Sequence, residues 1–225
     1  MKLRASSLPA PPQGFRNGPI TRAVVQAINQ LVDGFVQNPW LHRVEHSLHC
    51  ELYGLMRASP DIPQTVVTAA FTSQPVHKEW PEPRSHGHRK RRGNFDLAVL
   101  QPALGDCEID DFRYGRLPLL MAIEVGLNYS VDHLISDWEK LRQSKVPHCY
   151  LVHLATPRCR SQRGVSEAVG RVMKLENIGG SVQIAYIDHK SGLWRKLGEP
   201  RVNKITTSQL TRTVIVPPQA PRCGP

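Results

Sequence analysis

Two stretches of the chain are too continuously apolar to be strands with one solvated face. They occupy positions 94–100 and 119–128, and most of their residues are aliphatic. Runs of this kind are typical of strands that are buried on both faces of a sheet. Each nevertheless carries one acid, Asp96 in the first and Glu124 in the second. A buried carboxylate is costly unless a cation or hydrogen bonds compensate it, so the pair favours a shared divalent metal.

Either acid, considered alone, could be stabilised by its local surroundings without a metal. An acid in a strand is commonly satisfied by a backbone amide or by solvent at the end of the strand. The presence of two such acids, on strands expected to be neighbours, is what favours the metal.

The remaining elements follow from the same kind of pattern. Apolar residues recur with helical spacing in four segments, at positions 20–37, 41–57, 130–144 and 165–175. Further strands are predicted at positions 74–80, 148–155 and 181–187, with an edge strand at 190–197. Ser130 can cap the third helix, and positions 64–72 fit no element clearly.

The order of these elements predicts an α/β protein with a mixed central sheet flanked by helices. The first three strands can pair as a meander. The helix-bearing links after Glu124 predict some parallel pairing with right-handed crossovers.

The length of 225 residues and the 40% of hydrophobic residues suit one α/β domain. We assign it to positions 20–197. Positions 1–19 read as a flexible lead, and positions 198–225 as a tail rich in proline and threonine that frays.

The chain carries a formal charge of +10 and has a pI near 9.7, which favours a polyanionic partner, above all nucleic acid. The densest positive charge lies in a predicted loop at positions 84–92. Its basic residues are Arg84, Arg89, Lys90, Arg91 and Arg92, with His86 and His88 among them. This loop is expected to contact phosphates, although a purely solubilising loop would have the same composition.

Other features narrow the class of protein. No apolar run approaches the ~20 residues of a membrane span, and the amino terminus lacks the pattern of a secretory signal. The five cysteines are scattered and never spaced as CxxC; they are Cys50, Cys107, Cys149, Cys159 and Cys223. They fit reduced thiols, so we expect a cytoplasmic protein without a membrane partner.

The helix at 41–57 carries two kinds of candidate ligand. Glu45 and Glu51 are acids close to its apolar face. His42, His46 and His49 follow one another at spacings of four and three, which would place them along one side. They could bind zinc as a second candidate site, but no HExxH pattern accompanies them.

The element order and two short motifs resemble the PD-(D/E)XK nuclease superfamily, the proteins of the restriction-endonuclease-like fold. The motifs are Asn94-Phe95-Asp96-Leu97 in the second strand and Ile123-Glu124-Val125-Gly126 in the third. The resemblance covers roughly positions 41–156. It implies a core of the order α-β-β-β-α-β.

The resemblance also implies roles for particular residues. Asp96 and Glu124 would hold Mg²⁺ or Mn²⁺, which activates a water against a phosphodiester. Glu45, or else Glu51, would be the helix acid that tunes the metal. Gly126 stands where the family has its motif lysine, so Lys140, Lys78 or Asn128 would have to replace it, with Lys140 first.

The function expected from this resemblance is metal-dependent phosphodiester hydrolysis of nucleic acid, with DNA favoured. Two alternatives stay open. A nuclease-like module that lost its lysine would bind nucleic acid or join an assembly without catalysis, and a histidine-based hydrolase would use His42, His46 and His49. A homodimer or a larger protein assembly is compatible with the nuclease function.

Overall fold

A seven-stranded mixed sheet forms the centre of the protein. The computed structural model describes residues 18–83, 93–157, 182–189, 192–199 and 201–206. The predicted lead up to position 17, the basic loop at 84–92 and the predicted helix at 165–175 lie outside these residues, as does most of the predicted tail.

Four helices and nine strands occur in the described residues. The helices are α1 (Pro19–Gln37), α2 (Glu45–Ala58), α3 (Ile109–Arg113) and α4 (Val131–Gln143). The strands are β1 (Val66–Val67), β2 (Thr72–Ser73), β3 (Val76–Pro81), β4 (Asn94–Leu100), β5 (Leu119–Leu127), β6 (His148–Ala155), β7 (Val182–Asp188), β8 (Leu193–Arg195) and β9 (Asn203–Lys204).

The large sheet has the strand order β3-β4-β5-β6-β7-β8-β9. Strands β3, β4 and β5 form the predicted antiparallel meander. Strand β6 pairs in parallel with β5 and with β7, and α4 makes the crossover from β5 to β6. The expectation of an α/β protein with a mixed sheet flanked by helices is therefore confirmed.

Both faces of the sheet are covered, which explains why β4 and β5 are so continuously apolar. Helices α1 and α2 pack on one face, where Leu97, Val99 and Ile123 contribute to the core. Helix α4 packs on the other face, against Ala98 and Ala122. Alternate residues of the same strand thus enter two different cores, as expected of a sheet between helices.

Local chemistry accounts for the starts of α1 and α4. Pro19 is the first residue of α1, where a missing backbone N–H costs nothing. The Ser130 hydroxyl accepts a hydrogen bond from the His133 amide and so caps α4, as predicted.

The predicted start of the second helix at position 41 is wrong, because α2 begins at Glu45. Leu41 and Val44 lie before it and are exposed, with Leu41 at 66%. Leu41 and Val44 continue the helical spacing of Leu48 and Leu52, but only Leu48 and Leu52 are buried.

Three smaller differences concern segments without a clear pattern. The ambiguous positions 64–72 contribute to a separate two-stranded sheet of β1 and β2. The short helix α3 lies in the predicted loop between β4 and β5. Strand β9 continues the large sheet beyond β8, inside the stretch predicted to fray, so that prediction is wrong for Asn203 and Lys204.

None of the helices within the described residues combines the length and the apolar character that crossing a membrane requires.

Candidate metal centre

Three acids lie in a row across neighbouring strands at one end of the meander. The pairs between β3 and β4 on either side of Glu79 place it opposite Asp96. The last pair between β4 and β5 joins Leu97 to Ile123, so the next position brings Asp96 opposite Glu124. Like charges directly opposite one another destabilise a sheet. This row therefore requires cations close by.

The strands diverge at the site, and Asp96 fills the opening. Regular pairing of β4 with β5 ends at the pair of Leu97 with Ile123, so Asp96, the neighbour of Leu97 in the chain, has no paired residue on β5. Beyond that point the Val125 amide donates to Asp96 Oδ2 over 2.7 Å, instead of to a backbone carbonyl of β4. The Asp96 carboxylate is thereby held at the edge of the opening and is only partly buried.

Helix α4 supplies one cation to this row. Lys140 Nζ lies 2.7 Å from Glu124 Oε1, 3.7 Å from Asp137 Oδ1, and donates to the Asn94 carbonyl over 3.1 Å. The contact with Glu124 is a close ion pair, although Oε1 makes no hydrogen bond with good directional geometry. Lys140 is thus the lysine that the fold brings to the predicted acids.

Helix α2 approaches the same acids with Glu45 and His49. His49 Nε2 lies 3.1 Å from the Val125 carbonyl, 3.6 Å from Asp96 Oδ2 and 3.7 Å from Glu45 Oε1. Because a carbonyl can only accept, Nε2 carries a proton in this arrangement. His49 is therefore a donor surrounded by three oxygens.

The carboxylates of Asp96, Glu124 and Asp137 repel one another and are largely shielded from water. Burial, and next the charge of Asp96, raise the pKa of Glu124 well above its ordinary value. Burial also raises the pKa of Asp96 and of Asp137. Burial alone would lower the pKa of Lys140, but the charge of Glu124 and its neighbours raises it, so the ammonium stays charged. Among these groups negative charge exceeds positive charge, which favours a divalent cation.

The ring of Tyr129 covers Gly126, the residue for which the resemblance would imply a lysine. A Cβ on Gly126 would lie 2.4 Å from Tyr129 Cδ2, so no side chain fits there without moving the ring. The Tyr129 hydroxyl lies beside Glu45, and its ring stacks on His133 with centroids 4.2 Å apart. Burial and the neighbouring Glu45 carboxylate raise the pKa of Tyr129 far above its ordinary value.

The other two replacements considered for the lysine have different partners. Asn128 Oδ1 accepts from the backbone and the hydroxyl of Thr156, which ties the end of β5 to β6. Lys78 Nζ lies 3.2 Å from His46 Nε2 and 3.2 Å from Cys50 Sγ, on the side of α2. Of the three candidates, Lys140 is the one that forms an ion pair with Glu124.

The histidine triplet does not form a site of its own. His42 precedes α2 and pairs with Glu51 over 2.7 Å, while His46 faces Lys78. Only His49 reaches Asp96. The prediction that the three histidines lie along one side of one helix is therefore wrong for His42, whereas His46 and His49 are neighbours on α2 with ring centroids 6.1 Å apart. Glu45 rather than Glu51 is the helix acid beside Asp96.

One group of side chains in the described residues brings three possible ligands, one imidazole and two carboxylates, within reach of a single ion. The ligand atoms of His49, Glu79 and Asp96 lie within 4.8 Å of one another. The sequence motifs gave no reason to select Glu79. An antiparallel register for the strand at 74–80, once fixed, would have placed it opposite Asp96.

The predicted phosphate contacts of the basic loop stay a prediction, because its residues lie outside those that the structure describes. They are Arg84, Arg89, Lys90, Arg91 and Arg92.

Comparison of the chain with protein-family models, with curated proteins and with solved structures finds no match.

Proposed function

We propose that this protein hydrolyses phosphodiester bonds of nucleic acid, with DNA favoured, at a metal centre built around Asp96 and Glu124. The proposal includes a restriction-endonuclease-like core formed by α2, the meander β3-β4-β5, α4 and β6. The order of these elements and the divergence of β4 from β5 at the acids support it.

The observation that carries the proposal is the position of Lys140. A lysine on the helix after β5 reaches a buried glutamate on that strand over 2.7 Å, although the strand itself has glycine at the position of the motif lysine. A lysine that has moved to α4 can thus serve the same carboxylate pair. This is the replacement that the sequence favours first.

The residues present fit a divalent cation. Asp96 and Glu124 lie one position beyond the last pair of β4 and β5, close enough for the charge of Asp96 to act on Glu124, and burial penalises their unneutralised charge. When bound, Mg²⁺ or Mn²⁺ supplies a water of lowered pKa and a positive charge for the scissile phosphate.

The chain's own groups then have separate tasks. Asp96 and Glu124 would hold the metal, and Glu45 lies close by, beside the Tyr129 hydroxyl. The Lys140 ammonium stays charged, so it orients the attacking water and stabilises developing negative charge on the phosphate. The positive charge of the whole chain, with the loop at 84–92, favours a polyanionic substrate.

A panel of labelled duplex DNA, single-stranded DNA and RNA tests the proposal. Each substrate is incubated with the protein in Mg²⁺, in Mn²⁺ and in EDTA. We expect metal-dependent cleavage of DNA that Glu124→Gln abolishes. Asp132→Asn, which removes an exposed acid at the start of α4, should cleave like the parent.

A second candidate function is a nuclease-like module that binds nucleic acid or joins an assembly without cleaving. The ion pair of Lys140 with Glu124 favours it, because that pair already neutralises one of the two acids. Salt-dependent DNA binding by a folded protein that cleaves no member of the panel would establish this alternative.

A further inference from the structure

Glu79 has a backbone conformation that glutamate rarely adopts. Its φ is +53° in the middle of β3, where strand residues have strongly negative values. A left-handed conformation is costly for a residue with a side chain, and such strain persists where the surrounding structure holds it in place. Glycine would remove this strain, so the presence of a glutamate requires a reason.

The strained backbone directs a carboxylate toward a buried imidazole and a second carboxylate. Glu79, His49 and Asp96 offer one nitrogen and two carboxylate oxygens within 4.8 Å of one another. They come from three elements, β3, α2 and β4. Within the part of the chain that the structure describes, no cation forms an ion pair with Glu79; Lys78, the preceding residue, contacts Cys50 and His46 instead.

We propose that His49, Glu79 and Asp96 together form a site for a divalent transition metal such as Mn²⁺, which they bind in preference to Mg²⁺. This inference deepens the proposed function and rests on it for the role of Asp96. The reason for the preference is the imidazole nitrogen. Nitrogen ligands suit transition metals, whereas Mg²⁺ prefers oxygen and retains its waters.

Binding requires one change at His49. Its Nε2 donates to the Val125 carbonyl over 3.1 Å, and a metal can bind Nε2 only in the neutral tautomer whose proton lies on Nδ1. Metal binding therefore moves the proton from Nε2 to Nδ1 through solvent, and His49 stays a neutral imidazole. Asp96 keeps its bond from the Val125 amide through Oδ2, which orients it as a metal ligand requires.

The test measures Mn²⁺ binding to the full chain by the loss of the free-ion electron paramagnetic resonance signal, with Mg²⁺ as competitor. We expect one Mn²⁺ per chain and displacement only by Mg²⁺ in large excess. Glu79→Gln keeps the shape of an exposed side chain and should weaken Mn²⁺ binding by about tenfold or more. Glu139→Gln, an exposed acid on α4, is the matched control and should bind like the parent.

A second variant distinguishes the effect of the Glu79 carboxylate on metal binding from the effect of its positive φ on stability. Glu79→Gly removes the carboxylate but suits a positive φ, so its melting temperature should rise while its Mn²⁺ affinity falls. Equal Mn²⁺ affinity in the parent, Glu79→Gln and Glu79→Gly would overturn the proposal, and so would the absence of Mn²⁺ binding by the folded parent.

Metal binding and cleavage are measured separately, so the experiments distinguish a failure of the Mn²⁺ site from a failure of the proposed hydrolysis. Glu79-dependent Mn²⁺ binding by a protein that cleaves no nucleic acid would support the site while contradicting the proposed function. Cleavage in Mg²⁺ that is unaffected by Glu79→Gln, together with metal binding that only Glu124→Gln abolishes, would leave the proposed function standing and overturn this site.

Discussion

The requirement for glycine at position 126 comes from the neighbouring Tyr129 ring, which leaves no room for a side chain there. The missing side chain of Gly126 leaves the space that the Tyr129 ring occupies, and the Tyr129 hydroxyl lies beside Glu45. The glycine at position 126 and the tyrosine three residues later therefore form one arrangement. Under the proposed function, Lys140 supplies the charge and Tyr129 lies beside the helix acid.

We predict that Gly126→Ala lowers the free energy of unfolding by about 2 kcal/mol, because its Cβ forces the Tyr129 ring to move within a packed site. Urea denaturation measures the change. Gly54→Ala is the control, since nothing lies within 4 Å of its added Cβ on the exposed side of α2. That variant should instead gain about 0.5–1 kcal/mol from helix propensity. Equal effects of the two substitutions would contradict the role given to Tyr129.

Single-residue patterns identified Asp96 and Glu124 as acids in apolar strands, and both are at the site. Glu79 could not be identified in this way. Its position depends on the register of β3 against β4 and on a positive φ, which tertiary packing imposes and no local sequence signal records. His49 was visible only as one of three histidines, and it is the one of the three that contacts Asp96.

Helix α4 is the element that links the fold to the site. It makes the crossover between the parallel strands β5 and β6, and the helical spacing places Lys140 over Glu124. Its Ser130 cap and its apolar stripe were both readable in the sequence. That is why Lys140 could be selected from sequence, whereas the site around Glu79 could not.

We expect Lys140→Met to lower the free energy of unfolding by about 3 kcal/mol at neutral pH, because it leaves the Glu124 carboxylate buried without its partner. Chemical denaturation measures this change. The double variant Lys140→Met/Glu124→Gln should recover much of the loss. Lys145→Met alters an exposed lysine after α4 and should have little effect. A loss in the double variant as large as in Lys140→Met would argue against a buried ion pair.

The elements that the sequence predicted best are those with a strong, uninterrupted pattern. Strands β4 and β6 have the predicted bounds, and α1 and α4 lie within a residue of theirs. The start of α2 was missed because Leu41 and Val44 continue its apolar spacing into residues that tertiary structure leaves exposed. The short strands β1 and β2 pair with each other, and β9 pairs with β8. Each has only two residues, too few for an alternating pattern to be visible in the sequence.

The stability of the whole molecule should respond to acid through a buried histidine. His153 lies on β6, where its Nε2 accepts from the Tyr129 amide, and burial lowers its pKa to about 4. The unfolded chain binds this proton near pH 6.5, so the free energy of unfolding falls as the pH decreases from about 6.5 to 4, by up to about 3 kcal/mol.

Denaturation at a series of pH values measures this contribution. His153→Gln retains an acceptor for Tyr129 but does not titrate, so its stability should change less with pH over that range than the parent's. The acids Asp96, Glu124 and Asp137 have raised pKa values and act in the opposite direction in both proteins. Identical slopes for the parent and His153→Gln would contradict the assignment.

The most direct test of the account is the single-turnover rate of DNA cleavage in Mg²⁺ or Mn²⁺ by the parent and by Asp96→Asn, with the DNA affinity of each measured in parallel. If Asp96 holds the metal, the rate in Asp96→Asn should fall by about 1,000-fold while the affinity for DNA is retained. A folded parent that binds DNA without cleaving it, or an Asp96→Asn variant that cleaves as fast as the parent, would contradict the proposed function.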